Sequence, residues 1–543
     1  ETVFKAFGRA LRMALAADAR PQAVRDALAG RARTLAARLG RPLEAGAAVG
    51  ERTQVVRAEG IGAAALARQL GADPEVEFAI PNGRKRRLEA PADPLYGASA
   101  TERRSNGLAL QDGPASGQWY LRRPDTITAS AIDIETAWTH TRGSAAVVVA
   151  VLDTGVRFEH PDLGRAADGG KLLPGYDFVS DPVVANDGDG RDADASDPGD
   201  WVSEAEAGRG AFVGCAAEPS SWHGTSTASL VGALTDNGIG IAGVAPNVLV
   251  QPLRVLGKCF GYDADIIAAM RWAAGLHVDG VPDNPTPARV INMSLGGSGA
   301  CSAGYQAVID EVVARGVTVV AAAGNSTGGP VGEPANCRGV IGVLALRHSG
   351  TKVGFSDLGP EIAIAAPGGN CVNTGAGEPC LYPIVAARNS GTQGPLESIW
   401  SDSYSVTVGT SFSSPLVAGV AALMVSARPQ LSVAQVRTLL QSTARAFAQS
   451  GADNGPGNPT PVPQCQPPRA GVQQLQCYCT TALCGAGMLD AGAAVAAAAS
   501  ASTPDGAGSG SGGGGRGGGA MSGPWLALLV LAVAALARVA RRR

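Results

Sequence analysis

Charge is scarce in this chain of 543 residues: 17% of them are Asp, Glu, Lys or Arg, and the formal net charge is −3. An average soluble protein has about 25% charged residues, and a polybasic nucleic-acid binder carries a large positive excess. A nucleic-acid partner is therefore excluded as a first hypothesis. The 45% of apolar residues is enough for a large buried core.

Cysteine is absent from the first 214 residues, and the ten later cysteines contain no CxxC…CxxC zinc pattern. This favours disulfides in an oxidising compartment over structural metal, with scattered buried thiols of a cytosolic protein as the alternative. By proximity, Cys371 and Cys380 are expected to close a short loop. The last four are expected to pair among themselves in an order that the spacing leaves open, with metal binding as the alternative: Cys465, Cys477, Cys479 and Cys484.

Near the end of the chain, Met521 to Ala537 gives seventeen uncharged residues followed by four arginines. About seventeen residues is the lower limit for a spanning helix, and arginines after such a segment stay cytoplasmic. We expect residues 500–520 to be a Gly/Ser-rich linker and 521–543 to be a membrane anchor, with the body of the protein outside. A disordered tail is the alternative. This order resembles the C-terminal sorting tags of Gram-negative exported proteins, which implies removal by a rhomboid-type sorting protease and a transient anchor.

The first 92 residues predict a small α+β unit. Residues 51–58 and 75–80 are typical of strands, and residues 62–70 of a helix. In the second strand, Val76, Phe78 and Ile80 alternate with Glu75, Glu77 and Ala79, which predicts that the first three are buried. The basic run at 84–87 indicates a solvated segment or a processing site.

After residue 145 the pattern changes to unbroken apolar runs alternating with helical patterns. Such runs are typical of strands buried on both faces. The alternation predicts an α/β fold with a doubly wound, mostly parallel sheet and helices on both faces. The predicted strands are 145–152, 248–256, 290–295, 317–323, 340–346 and 362–366, and the helices are 223–234, 264–276, 303–315 and 411–427, with a further helix capped by Ser432 and Gln435.

Four polar residues stand at the ends of these elements: Asp153, His223, Asn325 and Ser411. Each alone fits a turn or a helix cap. Together they supply the parts of an acyl-transfer site, because a serine needs a base, the base needs an orienting carboxylate, and the oxyanion needs an amide donor. Ligands of open α/β sheets also bind beyond the carboxyl ends of the strands.

In these segments the chain resembles the subtilisin-like serine proteases, over about residues 140–495. The matching segments are Asp153-Thr154-Gly155, His223-Gly224-Thr225, Asn292-Met293-Ser294-Leu295-Gly296, Ala323-Gly324-Asn325 and Gly409-Thr410-Ser411. The resemblance implies Ser411 as nucleophile, His223 as general base and acid, Asp153 as its orienting partner, and Asn325 with the Ser411 amide as the oxyanion hole. Residues 226–229 depart from the family pattern, which we interpret as a packing variation.

The resemblance also implies a substrate-binding surface for protein and peptide substrates. An extended substrate would pair with the backbone of 294–296, and Gly332, in the segment 332–335, would form the floor of the primary pocket. A glycine there leaves room, so we expect a preference for large apolar side chains before the cut. The substrate-binding residues are expected to be Ser294, Leu295, Gly296, Gly324, Gly332 and Ala335.

Residues 1–92 resemble the inhibitory propeptide of this family, mainly through 73–81, and residues 93–499 would be the catalytic domain. The resemblance implies a zymogen that cuts itself, with the cut expected between Asn82 and Tyr96. We expect an exported enzyme at the cell surface or outside the cell. The family also suggests the disulfides Cys215–Cys259 and Cys301–Cys337.

Five carboxylates in residues 187–197 predict a bound cation, since charges this dense repel one another unless they are solvated or bridged. Oxygen ligands favour Ca²⁺, and similar family loops hold calcium; a solvated acidic loop is the alternative. Arg191 excludes an EF-hand. A second calcium loop is suggested at 235–240. The expected ligands are Asp187, Asp189, Asp192, Asp194, Asp197 and Asn237.

Three other functions fit parts of the sequence. Asp-Thr-Gly is also the aspartic-protease signature, but that mechanism needs a second such loop, and none occurs. A surface pseudoprotease would only bind peptides, although here every catalytic position is filled. A protease dedicated to maturing one partner protein stays open.

Overall fold

The computed structural model describes residues 2–6, 21–50, 53–81, 91–97, 117–370, 382–401, 408–450, 461–469 and 471–501. The chain divides into two compact units, Glu1–Glu89 and Ala90–Arg543. The predicted linker and anchor at 500–543, the basic run at 84–87 and the pair Cys371–Cys380 lie outside the described residues, apart from 500 and 501.

The first unit is a four-stranded antiparallel sheet in the order β2-β3-β1-β4. Leu35, Val56, Leu66, Leu70 and Val76 belong to its small core. The sequence missed the long first helix, whose apolar face is weak. The elements are β1 (Thr2–Ala6), α1 (Pro21–Leu39), β2 (Glu44–Gly50), β3 (Thr53–Arg57), α2 (Ala63–Gly71) and β4 (Val76–Pro81).

The predicted burial of β4 is wrong at two of three positions. Val76 is buried, but Phe78 is 39% exposed and Ile80 is 53% exposed. The core that includes residues of α1 and α2 takes in Val76 and, in part, Ala79. The strand therefore exists as predicted, but its alternating apolar residues do not all face the core of this unit.

The second unit is built on a seven-stranded sheet in the order β11-β10-β9-β8-β5-β7-β6, and all its strand pairs are parallel. A short antiparallel pair, β12 with β13, lies apart from it. The strands are β5 (Val148–Asp153), β6 (Tyr176–Asp177), β7 (Leu249–Arg254), β8 (Val290–Met293), β9 (Thr318–Ala322), β10 (Ile341–Leu346), β11 (Ile362–Pro367), β12 (Ala386–Asn389) and β13 (Ser398–Ser401).

Helices cover both faces of this sheet, as the sequence predicts. In β5, Val149 and Val151 belong to one apolar cluster, while Val148, Ala150 and Leu152 belong to the other, because successive side chains of a strand point to opposite faces. The helices are α3 (Ile134–Trp138), α4 (Pro182–Ala185), α5 (His223–Gly232), α6 (Asp263–Ala273), α7 (Ala303–Ala314), α8 (Thr410–Ala427), α9 (Val433–Ser442) and α10 (Ala491–Ser500).

Helix α8 is the one described helix that is long and apolar enough to cross a membrane, and 83% of it is buried. It packs against α5, α10 and the strands β5, β8, β9, β10 and β11 of the sheet, so it is a core helix. Helix α9 begins with the predicted capping box of Ser432 and Gln435. Burial on both faces explains why the apolar runs of the sequence located the central strands within a few residues.

Candidate active site

The four predicted catalytic residues lie at element ends of the second unit. Asp153 ends β5, His223 begins α5, and Ser411 is the second residue of α8. Asn325 follows β9. Strands β5 and β9 flank β8 in a parallel sheet, so their carboxyl ends meet at one edge.

Asp153 and His223 form a direct hydrogen bond, with 2.7 Å between Nδ1 of the imidazole and Oδ1 of the carboxylate. The Thr154 backbone N–H also donates to Oδ1, at 2.8 Å. The carboxylate side chain is 1% exposed, while the imidazole is 21% exposed. A buried carboxylate on Nδ1 leaves Nε2 as the nitrogen that can accept a proton.

Close main-chain packing sets the separation of these two residues. A Cβ on Gly224 would come within 2.0 Å of the Gly155 carbonyl oxygen. Gly155 itself has φ of +92°, and a Cβ there would meet the Ala195 carbonyl oxygen at 2.7 Å. Gly224 is therefore required by the approach of the two segments, and Gly155 by its positive φ and its approach to Ala195.

The charge around His223 raises its pKa above the usual 6.5. Burial of the imidazole is the largest single influence and lowers this pKa, but the charge and hydrogen bond of Asp153, together with the charges of Asp200 and Asp197, outweigh it. The site thus stabilises the imidazolium that general-base catalysis would form.

Ser411 and Ser294 exchange hydrogen bonds. The Ser411 hydroxyl donates to the Ser294 carbonyl oxygen at 3.2 Å, and the Ser294 hydroxyl donates to the Ser411 carbonyl oxygen at 2.7 Å. Pro415 explains why that second acceptor is free, because it lacks the N–H that would bond to the carbonyl four residues earlier. Pro415 is the sixth residue of α8 and therefore lies beyond its first turn.

The amide of Asn325 has a fixed orientation. Its Oδ1 accepts hydrogen bonds from the Thr410 backbone N–H and hydroxyl, both at 3.0 Å. The Nδ2 donor therefore points away from Thr410, and the residue is exposed. The Ser411 N–H, in the first turn of α8, has no partner within the helix. These are the two donors that an oxyanion would need.

Asp357 supports the loop that carries Asn325. Its carboxylate, only 2% exposed as a residue, accepts from the backbone N–H groups of Ser326 (3.0 Å) and Gly329 (2.8 Å). A Cβ on Gly324, which has φ of +112°, would lie 2.4 Å from that carboxylate. Burial raises the pKa of Asp357, while these amides and the charge of Lys352 lower it in part.

A cleft of about 390 Å³ lies beside His223. One wall contains the predicted Ser294, Leu295 and Gly296, and the other contains residues 256–261. Three carboxylates, Asp200, Glu218 and Asp263, also line it. An extended peptide beside 294–296 would therefore lie next to the imidazole.

Gly332 and Ala335 lie behind this wall. The Gly297 N–H donates to the Glu333 carbonyl oxygen at 2.8 Å, and a Cβ on Gly332 would come within 1.9 Å of the Gly297 carbonyl oxygen. Close backbone packing is therefore enough to require a glycine at position 332. From the sequence, this glycine is interpreted as leaving room for a substrate side chain. Ala335 is buried in the apolar core. Their part in a substrate pocket stays a prediction.

The acidic loop does not bring its five carboxylates together. Asp187 pairs with Arg254 at 2.5 Å, and Asp197 accepts from the Thr154 hydroxyl at 2.7 Å. Asp192 and Asp194 accept from backbone N–H groups two residues on. Among the described residues, no three carboxylates from 187–197 converge as a set of metal ligands.

The loop of Asn237 fits a cation better. The Asn237 side chain donates to Asp162 Oδ1 at 3.0 Å, and its backbone N–H donates to Asp93 at 3.3 Å. Both aspartates are buried. Burial and then the neighbouring charge of Asp93 raise the pKa of Asp162 to about 7. The Ile241 N–H and the Trp400 indole N–H also donate to Asp162 Oδ2, at 2.8 and 2.6 Å. Carboxylate oxygens are ligands of the kind that Ca²⁺ takes, but no group of three such ligands gathers at this loop among the described residues, so calcium here stays a prediction.

The family-based disulfides Cys215–Cys259 and Cys301–Cys337 are present. Cys259 lines the cleft, so the first bridge pins its wall to the loop 201–221. The undecided cysteines pair as Cys465–Cys477 and Cys479–Cys484. Cys465, Cys479 and Cys484 lie close enough to hold a metal, but all three are already in these bridges.

Sequence reasoning missed two polar side chains behind the site, Asp357 and Thr227. Thr227 donates to Asp153 Oδ2 at 3.0 Å, so the departure at 226–229 is more than a packing variation. One signal was available: Thr227 is four residues after His223 and so shares its helix face. Asp357 had no local signal, because its partners lie about 30 residues away.

Residues 144–459 match the model of the subtilase family. An extracellular protease of Xanthomonas campestris pv. campestris is 42% identical over 384 residues, covering 70% of this chain and 57% of that protein. Subtilisin DY of Bacillus licheniformis is 34% identical over 311 residues, covering 56% of this chain and 86% of that protein.

An extracellular basic protease of Dichelobacter nodosus is 36% identical over 393 residues, covering 70% of this chain and 57% of that protein. The chain thus spans less than two thirds of the length of these Gram-negative relatives. In a solved structure of proteases from Pseudoalteromonas arctica, the matching chain is 39% identical with a TM-score of 0.59, over 76% of this chain and 100% of that one.

Proposed function

The chain belongs to the subtilase family, and from this premise we propose that it is an exported serine endopeptidase that cuts proteins through an acyl-enzyme. One observation carries the proposal: Asp153 is bonded to His223 at the sheet edge where Ser411 begins α8 and Asn325 directs a free amide. The relatives named extracellular protease support the export and the activity.

In the proposed first step, His223 Nε2 takes the proton of the Ser411 hydroxyl while Oγ attacks the scissile carbonyl carbon. The Ser411 hydroxyl must first turn from the Ser294 carbonyl oxygen toward the imidazole. The Asn325 Nδ2 and the Ser411 N–H would bind the oxyanion. The imidazolium then gives its proton to the leaving amine, and water cleaves the acyl-enzyme by the same route.

For substrates, we propose that an extended chain pairs with 294–296 and that a bulky apolar side chain precedes the cut. The cleft beside His223 supports the pairing. A peptide library would test the preference, and cleavage only after Lys or Arg would reject it. A protease that matures a single partner would instead cut few library members.

The decisive experiment for the activity is labelling with a fluorophosphonate probe. We expect Ser411 to be labelled and Ser411→Ala to be neither labelled nor active. Ser413→Ala serves as the control, since that hydroxyl donates to the Pro367 carbonyl oxygen away from the site. A folded wild type that binds peptides without labelling would instead be a pseudoprotease.

We also propose that residues 1–92 are a removable propeptide, cut by the enzyme between Asn82 and Tyr96. Their separate compactness and small core support a unit that can be released. Trimming of an isolated Ser411→Ala variant would show that self-processing is wrong. Mass spectrometry of both ends of the mature protein would locate this cut. It would also test the proposed transient anchor at 521–543 and its removal by a rhomboid-type protease.

For calcium, we propose a structural ion held by Asp162, Asp93 and the loop of Asn237, whose charge would offset the two buried carboxylates. The acidic loop 187–197 stays a weaker prediction. We expect a strong chelator to lower Tm in the wild type and much less in Asp162→Asn. Asp189→Asn, an exposed change in the acidic loop, should keep the full chelator effect. An unchanged wild-type Tm would reject both sites.

A further inference from the structure

Thr227 is a buried polar residue that the proposed mechanism does not use. It lies in α5 four residues after His223, and it is completely buried. Its hydroxyl oxygen lies 3.0 Å from Asp153 Oδ2 and 3.2 Å from the Gly224 carbonyl oxygen. A threonine hydroxyl has one proton to donate, and an ionised carboxylate is the stronger acceptor of the two.

The two oxygens of Asp153 therefore have different partners. Oδ1 accepts from His223 Nδ1 at 2.7 Å and from the Thr154 N–H at 2.8 Å. Within the stretches of chain that the structure describes, the donor to Oδ2 is Thr227. With the Asp153 side chain 1% exposed, bulk water has little access to replace that donor, and losing it would leave a buried charged oxygen unsatisfied.

We propose that Thr227 is a positioning residue of the triad: its hydroxyl holds Asp153 Oδ2 so that Oδ1 faces the imidazole. This inference rests on the proposed protease function. The orientation of a carboxylate about its last bond is soft, and bonds on both oxygens fix it. The hydrogen bond from Thr227 also draws negative charge toward Oδ2. It therefore weakens the stabilisation of the imidazolium by the carboxylate.

A pH profile separates this role from a merely structural one. The charged groups around His223 are Asp153 from β5, Asp197 and Asp200 from the preceding loop, Glu218 and Asp263 lining the cleft, and Arg388 from β12, which packs on α5. Arg388 donates to the carbonyl oxygens of Ser220 and Ser221. None of these groups changes when Thr227 loses its hydroxyl, so a shift of the acidic limb would report on Asp153 alone.

The test compares Thr227→Val, which keeps the shape and removes the hydroxyl, with Thr227→Ser, which keeps the hydroxyl. We expect Thr227→Val to lower kcat about three- to tenfold with KM nearly unchanged. The acidic limb of kcat/KM should move to higher pH, because the freed carboxylate stabilises the imidazolium more. Thr227→Ser should restore both values.

Ser229→Ala is the matched control. It removes another buried hydroxyl of α5, one that donates to the Ser226 carbonyl oxygen at 2.7 Å and is not bonded to Asp153. We expect a lower Tm with kcat and the limb unchanged. The proposal would be overturned if Thr227→Val kept the kcat and the acidic limb of the wild type. It would also be overturned if Thr227→Val and Thr227→Ser lost activity equally. If Thr227→Val does not fold, Thr227→Ala takes its place under the same criteria.

The two proposals fail differently. If the wild type neither cleaves peptides nor reacts with the fluorophosphonate probe, the protease function is wrong. If the wild type does both and the Thr227 variants match it, the function stands and the positioning role alone is wrong.

Discussion

The two sides of Ser411 are built by different means. On one side, a buried carboxylate contacts His223 directly, and the pair carries charge at the reacting group. On the other side, the neutral amide of Asn325 faces outward, and the nearest buried carboxylate, Asp357, lies one layer behind it. The base side therefore works through charge and the oxyanion side through orientation.

Each side of the site is therefore weakened by a different kind of substitution. Changing the charge at Asp153 alters both the tautomer and the pKa of His223. A substitution of Asp357 keeps the side-chain N–H donor of Asn325. It only weakens the hydrogen bonds that hold the backbone of the surrounding loop. We expect a graded series of losses in activity. The loss should be largest where a charged side chain contacts the reacting group and smallest where only the protonation equilibrium of His223 changes.

The largest effect is expected from Asp153→Asn. The amide would present an N–H or a weak acceptor to His223 and favour the wrong tautomer, so kcat should fall about 10⁴-fold. Steady-state kinetics on a peptide substrate measures this. A loss smaller than that of Asn325→Ala would contradict the charge-dominated view of the base side.

Asn325→Ala is expected to come second, with kcat about 10²- to 10³-fold lower and KM nearly unchanged. Its donor acts on the oxyanion, so labelling by a fluorophosphonate should slow in parallel. Thr410→Val, which removes one of the two donors to Asn325 Oδ1, should show a smaller loss in the same direction. A large rise in KM for Asn325→Ala would instead indicate a ground-state binding role.

Asp357→Asn should lower kcat about tenfold or less and also lower Tm. The amide keeps the size of the side chain but places an NH₂ group where Ser326 and Gly329 donate. Kinetics and thermal unfolding together measure the two losses. The exposed change Glu361→Gln, nearby in sequence, is the control. An unchanged kcat would show that the oxyanion loop is held without this carboxylate.

The smallest change concerns pH. Because Asp153, Asp200 and Asp197 raise the pKa of His223 above 6.5, and the base must be neutral to accept a proton, activity should fall as pH decreases through a value above 6.5. Asp200→Asn should move this acidic limb to lower pH. An acidic limb of the wild-type kcat/KM profile below 6.5 would contradict the electrostatic picture of the base side.

The sequence predicted most of the central sheet, because burial on both faces produces unbroken apolar runs. It also named Asp153 and His223, which the structure joins by a hydrogen bond, because both stand in short motifs. It misjudged Phe78 and Ile80, since alternation shows which residues share a face but not whether that face is covered. It could not find Asp357, whose partners are distant in sequence. It left the pairing of Cys465 with Cys477 open because four cysteines close together in sequence allow three different pairings.

The contact between Gly155 and Gly224 has an effect on how this protein tolerates substitution. The distance between the Asp153 and His223 main chains is set where the two segments touch, so side-chain substitutions in the cleft walls leave that distance intact. In the proposed protease, substitutions in the cleft walls would alter the choice of substrate and leave the distance between the two main chains unchanged. Gly224 does not tolerate a side chain, because even a methyl group there would force the two segments apart. Gly155 is restricted for a different reason, since its φ is positive and a Cβ there would meet the Ala195 carbonyl oxygen.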